Sequence, residues 1–256
     1  MSIFIALVLG IVQGLTEFLP VSSSGHLILL QHVFELPSDM LLFNIVLHIA
    51  TLCAVLIMFR KKIWQLVRHP WNKTNLCLVI STAITCTLVV LFKDLIDRTF
   101  HISVLPFAFM ATAIILFMTS FVGGQSSKPK LLGTPNHVTY QSAIFVGIAQ
   151  AIAVVPGLSR SGTTISTLLF TGTKREQAAE FSFLMSIPII IASFAYELMD
   201  VGSNIAIDIV PTAVAFVAAL LSGIIAIKFM LAIIRRVKFH WFSYYLVILA
   251  MICLFL

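Results

Sequence analysis

Glu17-Phe18-Leu19-Pro20-Val21-Ser22-Ser23-Ser24-Gly25-His26 interrupts an otherwise apolar N-terminal run with a carboxylate, three hydroxyls and an imidazole. Such groups are costly in hydrocarbon unless they face protein or water. Pro20 has no backbone N–H and Gly25 favours turns, so both work against the helix that the flanks would form. The stretch reads as a broken helix that carries polar groups.

A second interruption lies downstream, at Pro156-Gly157-Leu158-Ser159-Arg160-Ser161-Gly162-Thr163-Thr164. At an offset of 137 residues the two align without a gap. Gly10 falls on Gly147, Ile11 on Ile148, Gln13 on Gln150, Ser22 on Ser159, Ser24 on Ser161, Gly25 on Gly162 and Ile28 on Ile165. Apolar bias inflates such matches, but it does not account for the shared Gln…Ser-x-Ser-Gly pattern. Paired discontinuous helices are what an inverted-repeat membrane protein places at its substrate site.

Composition sets the class. The chain has 256 residues, 60% hydrophobic and 10% charged, with a mean hydropathy of +1.08. That excludes an ordinary soluble domain and specifies an all-α polytopic membrane protein. The N-terminus lacks a basic region followed by a small-residue cleavage site, so no signal peptide is expected. The net charge of +6 is carried mainly in loops, so it reports topology rather than nucleic-acid binding. Cys53, Cys77, Cys86 and Cys253 lie in apolar runs without CxxC spacing and read as free thiols.

Neither arm of the 2–34 region reaches the roughly 20 residues that span a bilayer, so it reads as a re-entrant hairpin. Residues 40–59 form a span, and Arg60, Lys61, Lys62, Arg68 and Lys73 mark the cytoplasm. Spans 74–92 and 102–122 follow, and then a cytoplasmic linker, 123–139, that carries Lys128 and Lys130. A second hairpin, 140–172, precedes spans 179–198, 210–229 and 241–256, the last somewhat short. Glu197, Asp200 and Asp208 suit an external loop, and Arg235, Arg236 and Lys238 a cytoplasmic one. Each half, 1–122 and 140–256, is thus one hairpin plus three spans within a single membrane domain. An odd number of spans per half inverts the second half, so the hairpin tips meet near the midplane. The competing architecture is eight ordinary spans with polar kinks.

Gln13 and Glu17 share a helix face. Ser22, Ser23 and Ser24 fall where an N-cap belongs, and Ser159 and Ser161 fall in the matching place. Helix N-termini favour anions. Arg160 is the cation placed at membrane depth, and its planar fork suits a phosphate oxyanion. Glu17 and His26 add an acid–base pair. His48 reads as a packed or helix-bonded histidine, and Glu180 as a cap or interface residue near Lys174 and Arg175.

Gln13-x-x-x-Glu17, the Pro20–His26 run and Pro156–Thr164 together resemble the signature motifs of the bacterial undecaprenyl-diphosphatase family, the bacitracin-resistance type. The resemblance covers essentially the whole chain. It implies a multi-pass phosphatase of the bacterial plasma (inner) membrane, with its active site open to the external side. That enzyme would convert undecaprenyl diphosphate to undecaprenyl phosphate and inorganic phosphate, which recycles the carrier for peptidoglycan synthesis and confers bacitracin resistance. It also implies a divalent cation, Mg²⁺ or Ca²⁺. The first position of the family's Glu/Gln-x-x-x-Glu motif is Gln13 here, which leaves Glu17 as the one carboxylate. By resemblance, Arg160 would clamp the diphosphate, with Ser159, Ser161 and Thr164 adding hydroxyls or capped amides. Ser22 and Ser24 join this binding set, and Glu17, with Gln13, would bind the metal or orient the attacking group. Ser23 would be the nucleophile with His26 as its acid–base partner; attack by His26 itself or by an activated water stays open. The partners expected are a polyprenyl diphosphate lipid and the bilayer, with no nucleic acid, and a homodimer is admitted. The rival class is an inverted-repeat transporter or polyprenyl-phosphate flippase, which would need Arg160 and the helix N-termini but not the reactive set.

Overall fold

The computed structural model describes residues 1–37, 40–122, 138–200, 208–234 and 239–255. Residues 123–137 of the expected linker, with Lys128 and Lys130, and the basic run 235–238 lie outside the described residues. So do Asp39, residues 201–207 of the expected external loop, and the side chains of Glu197 and Asp200. The described residues form α-helices and one short 3₁₀ turn at Ile102–Val104.

The first interruption divides α1 (Ile3–Phe18) from α2 (Ser23–Val33), and α3 (Leu41–Met58) follows. Residues 60–68, expected as loop, form α4 (Arg60–Arg68), and α5 (Lys73–Leu91), α6 (Lys93–Asp97) and α7 (Leu105–Val122) come next. The second interruption divides α8 (Tyr140–Ile152) from α9 (Arg160–Phe170). The chain then runs through α10 (Arg175–Asp200), α11 (Ile209–Ile233) and α12 (Trp241–Cys253). Five stretches among the described residues are long and apolar enough to cross a membrane: Leu41–Met58, Lys73–Leu91, Ile102–Phe121, Arg175–Ala195 and Ile209–Ile233. The sixth expected span, 241–256, is instead the 13-residue α12, about 20 Å long and short of a hydrocarbon core of roughly 30 Å.

Packing follows from small residues at helix crossings, as expected where lipid competes equally for apolar side chains. α1 lies along α11, and a Cβ on Gly10 would come 2.3 Å from the Ala215 carbonyl oxygen. On Gly14 it would come 2.4 Å from that of Ala219. α8 lies along α5, where Gly147 approaches the Ser81 backbone. α3 packs on α11 and α10, and α7 on α12 and α9. Phe18 meets Phe183 edge-on at 5.5 Å in the apolar core. Pro188 sits inside α10, where it removes a rung from the hydrogen-bond ladder. Glu180, on the same helix, pairs with Lys62 of α4 at 2.9 Å.

Gly14→Val should therefore force α1 and α11 apart. The expected loss is about 1–3 kcal/mol, as for other overpacked contacts. Thermal unfolding in detergent checks it, with the exposed Ile11→Ala expected to change stability by less than about 0.5 kcal/mol.

Candidate active site

Two turns build the site. In the first, Ser22 stands at φ +68°, a conformation that strains an L-residue by roughly 1–3 kcal/mol. The turn is held from several sides. The Gly25 N–H donates to Ser22 Oγ at 3.3 Å, which caps α2. His26 Nδ1 donates to the Ser22 carbonyl at 2.7 Å. A carbonyl only accepts, so Nδ1 carries the ring proton and Nε2 accepts from the Tyr245 hydroxyl at 2.6 Å. The His26 ring also meets Phe109 edge-on.

The second turn repeats the cap. Gly162 N–H donates to Ser159 Oγ at 3.1 Å, and the Ser159 N–H donates to Thr112 Oγ1 of α7 at 3.1 Å. Gly157 is at φ +89° with Ala108 beside it, so a side chain there would meet both strain and a clash. The turns abut: a Cβ on Gly25 would lie 3.0 Å from Gly157 Cα. Ser161 Oγ donates to the Leu19 carbonyl at 2.9 Å and ties one turn to the other.

Glu17 sits buried at this junction. Its Oε1 accepts from Arg160 Nη2, and its Oε2 accepts from Ser23 Oγ at 2.6 Å and from Gln13 Nε2 at 3.0 Å. His48 Nδ1 lies 3.6 Å from Oε2. A buried charge this well partnered is tolerable, whereas one left alone would not be. A cavity of about 180 Å³ opens beside it. Glu17, Ser22, Ser23, Ser24, Ser159, Arg160 and Ser161 line it, together with His48, Gln150 and apolar side chains from α3 and α10.

The structure thus gathers most of the expected residues and separates three. Gln13 packs behind Glu17, fully buried. Thr164 points away from the cavity, donating to the Arg160 carbonyl at 2.7 Å and meeting Ser182 Oγ at 2.6 Å. The expected Ser23–His26 pair is not formed, because both ring nitrogens of His26 are engaged elsewhere and the partner of Ser23 is Glu17. His48, read as an isolated packed histidine, instead reaches Gln13 and the cavity. Gln150 and Tyr245 also went unassigned; the Gln13–Gln150 match in the repeat is the signal that would have found Gln150. Both glutamines keep a buried side-chain oxygen without a hydrogen-bond partner.

Among the described residues no cluster of three or more His, Cys, Asp or Glu side chains could hold a metal. One carboxylate and the serine hydroxyls on the cavity wall fit a hard cation that brings phosphate oxygens as further ligands, whereas Gln13 does not line the cavity.

This is a multi-pass helical membrane protein that sets two helix N-termini and an arginine at one cavity, features that suit an anionic group. The model of the bacitracin resistance protein BacA family matches residues 6–252, and the chain belongs to that family. An undecaprenyl-diphosphatase of Carboxydothermus hydrogenoformans is 46% identical over 261 residues, covering 100% of this chain and 98% of that protein. One of Treponema denticola is 38% identical over 263 residues, covering 96% and 94%. One of Korarchaeum cryptofilum is 38% identical over 266 residues, covering 97% of each.

Thr112 tests the geometry of the second turn. Thr112→Val leaves the Ser159 N–H without its acceptor, at an expected cost of about 1–3 kcal/mol. Thr112→Ser keeps the hydroxyl and should recover most of it, as read by thermal unfolding.

Proposed function

We propose that this chain hydrolyses undecaprenyl diphosphate to undecaprenyl phosphate and inorganic phosphate, in keeping with its family and with the activity its relatives are named for. The observation that carries the reading is the Ser23 hydroxyl held 2.6 Å from Glu17 Oε2, with Arg160 on the other carboxylate oxygen. A serine that donates to a buried carboxylate beside an anion-binding arginine is placed for nucleophilic attack on phosphorus.

Arg160 and the N-termini of α2 and α9 receive the diphosphate oxygens. Ser23 Oγ bonds to the terminal phosphorus as Glu17 takes its proton. The bond from that phosphorus to the bridging oxygen breaks, and the bridging oxygen leaves with undecaprenyl phosphate. After Glu17 releases its proton to solvent, it deprotonates a water that attacks the phosphoserine. Inorganic phosphate departs and Ser23 Oγ takes a proton back. His26 acts through the turn, since it fixes the Ser22 carbonyl next to Ser23. Glu17, with the serine hydroxyls on the cavity wall, would hold Mg²⁺ or Ca²⁺, which would supply charge neutralisation for the diphosphate. The lipid chain lies against the apolar wall from α3 and α10 (Ile45, Ile49, Ile189 and Ile190).

The architecture we propose is an inverted repeat of residues 1–122 and 140–256, with re-entrant hairpins 2–34 and 140–172. The crossed packing supports it. α1 lies on α11 as α8 lies on α5, α3 on α11 as α10 on α5, and α7 meets α12. By resemblance to the family, we assign the site to the external side, where it recycles the carrier for peptidoglycan synthesis; the basic residues of α4 would then mark the opposite, cytoplasmic side.

Phosphate release from a polyprenyl diphosphate by the purified protein tests this. Arg160→Ala should lower the rate by about 10²–10³-fold, the scale for losing one donor to developing charge. Ser23→Ala should abolish it, and EDTA should suppress it until Mg²⁺ or Ca²⁺ is restored. No release by wild type with either cation present would sink the phosphatase reading, and substantial activity in Ser23→Ala would remove the serine as nucleophile.

A further inference from the structure

Gln13 Nε2 makes two contacts, with Glu17 Oε2 at 3.0 Å and with His48 Nδ1 at 3.0 Å. An amide nitrogen only donates, so one N–H goes to the carboxylate and the other to the imidazole. His48 Nδ1 therefore accepts, and the ring carries its proton on Nε2. With both N–H groups committed, the amide has one orientation, and its oxygen is the atom left without a partner. His48 comes from α3, a different helix from Gln13 and Glu17. Its side chain is 35% exposed and forms part of the cavity wall.

We infer that His48 is a positioning residue for the hydrolysis: through Nδ1 it locks the Gln13 amide, and the amide holds Glu17 Oε2 against Ser23. Without His48 the amide is free to turn its oxygen toward the carboxylate. Glu17 is then drawn to Arg160, and Ser23 loses its proton acceptor. This rests on the phosphatase reading above, in which Glu17 deprotonates Ser23. It assigns a job to a residue that has no reactive neighbour in sequence and faces the site only because α3 packs beside α1.

The two ring nitrogens can be told apart by substitution. Asn places its side-chain oxygen near the position of Nδ1, while Gln reaches the position of Nε2. Phosphate release is measured for wild type, Ser23→Ala, His48→Ala, His48→Asn and His48→Gln in detergent, after gel filtration shows each to be monodisperse. His48→Ala should lower kcat about 10- to 100-fold, the range for losing a partner that orients a reacting group, with KM within about threefold. His48→Asn should recover most of that loss and His48→Gln should not. An unchanged kcat in His48→Ala overturns the inference, as does a rise in KM alone, which would place the imidazole on the substrate. Rescue by Gln equal to or better than rescue by Asn overturns it too. If His48→Ala does not fold, Asn above Gln supports the inference and any other order overturns it. Activity in wild type with none in Ser23→Ala keeps the phosphatase reading standing in each of these cases; an inactive wild type removes both.

Discussion

Both turns of the molecule touch the carboxylate of Glu17. Arg160 reaches it from α9, 143 residues away in sequence, while Ser23 and Gln13 reach it from either side of the first break. Burying a carboxylate and a guanidinium costs several kcal/mol per ion before any pairing, and only good geometry with further hydrogen bonds recovers it. That requirement explains much of the surrounding structure. Ser22 accepts a strained backbone angle, Gly25 and Gly157 omit side chains so that the turns can touch, and the two caps repeat one another at Ser22 and Ser159. Each of these holds the partners of one charge in register. The same arrangement leaves a hydroxyl, a carboxylate and a guanidinium around a single cavity, so in the proposed reaction the stabilising network and the reactive one share their atoms.

How far the sequence could be read follows from the range of each interaction. The helix breaks, the two serine caps and the gathering of Glu17, Ser23 and Arg160 were legible because they depend on local chemistry and on a pattern written twice. The expected His26–Ser23 contact is absent for the opposite reason. Sequence proximity suggested a partner three residues away, but the ring turns to Tyr245, 219 residues along the chain. His48 looked isolated because its polar company is on α1, and Thr112 gave no signal because its role is to accept one N–H from another helix. Glu180 was read against Lys174 and Arg175, and the pair it makes with Lys62 went unforeseen because Lys62 lies on α4, a helix that a run of basic residues did not announce. α12 fell short of a span because the helix ends at Cys253. Contacts set by how helices cross carry no mark in the local sequence.

The joint between the two turns also sets which parts of the cavity wall can give. Parting the turns would break the Glu17–Arg160 pair and the Ser161–Leu19 bond together, and would open the glycine contact behind them. That side behaves as a weld. The opposite wall is made differently. Ile189, Ile190, Ser193 and Phe194 face the cavity from α10, immediately after Pro188, where the helix lacks a backbone hydrogen bond. A helix missing one rung bends there at less cost than elsewhere. The cavity thus has one wall tied by paired charges and hydrogen bonds and an opposite, apolar wall carried by a helix that lacks a rung at Pro188.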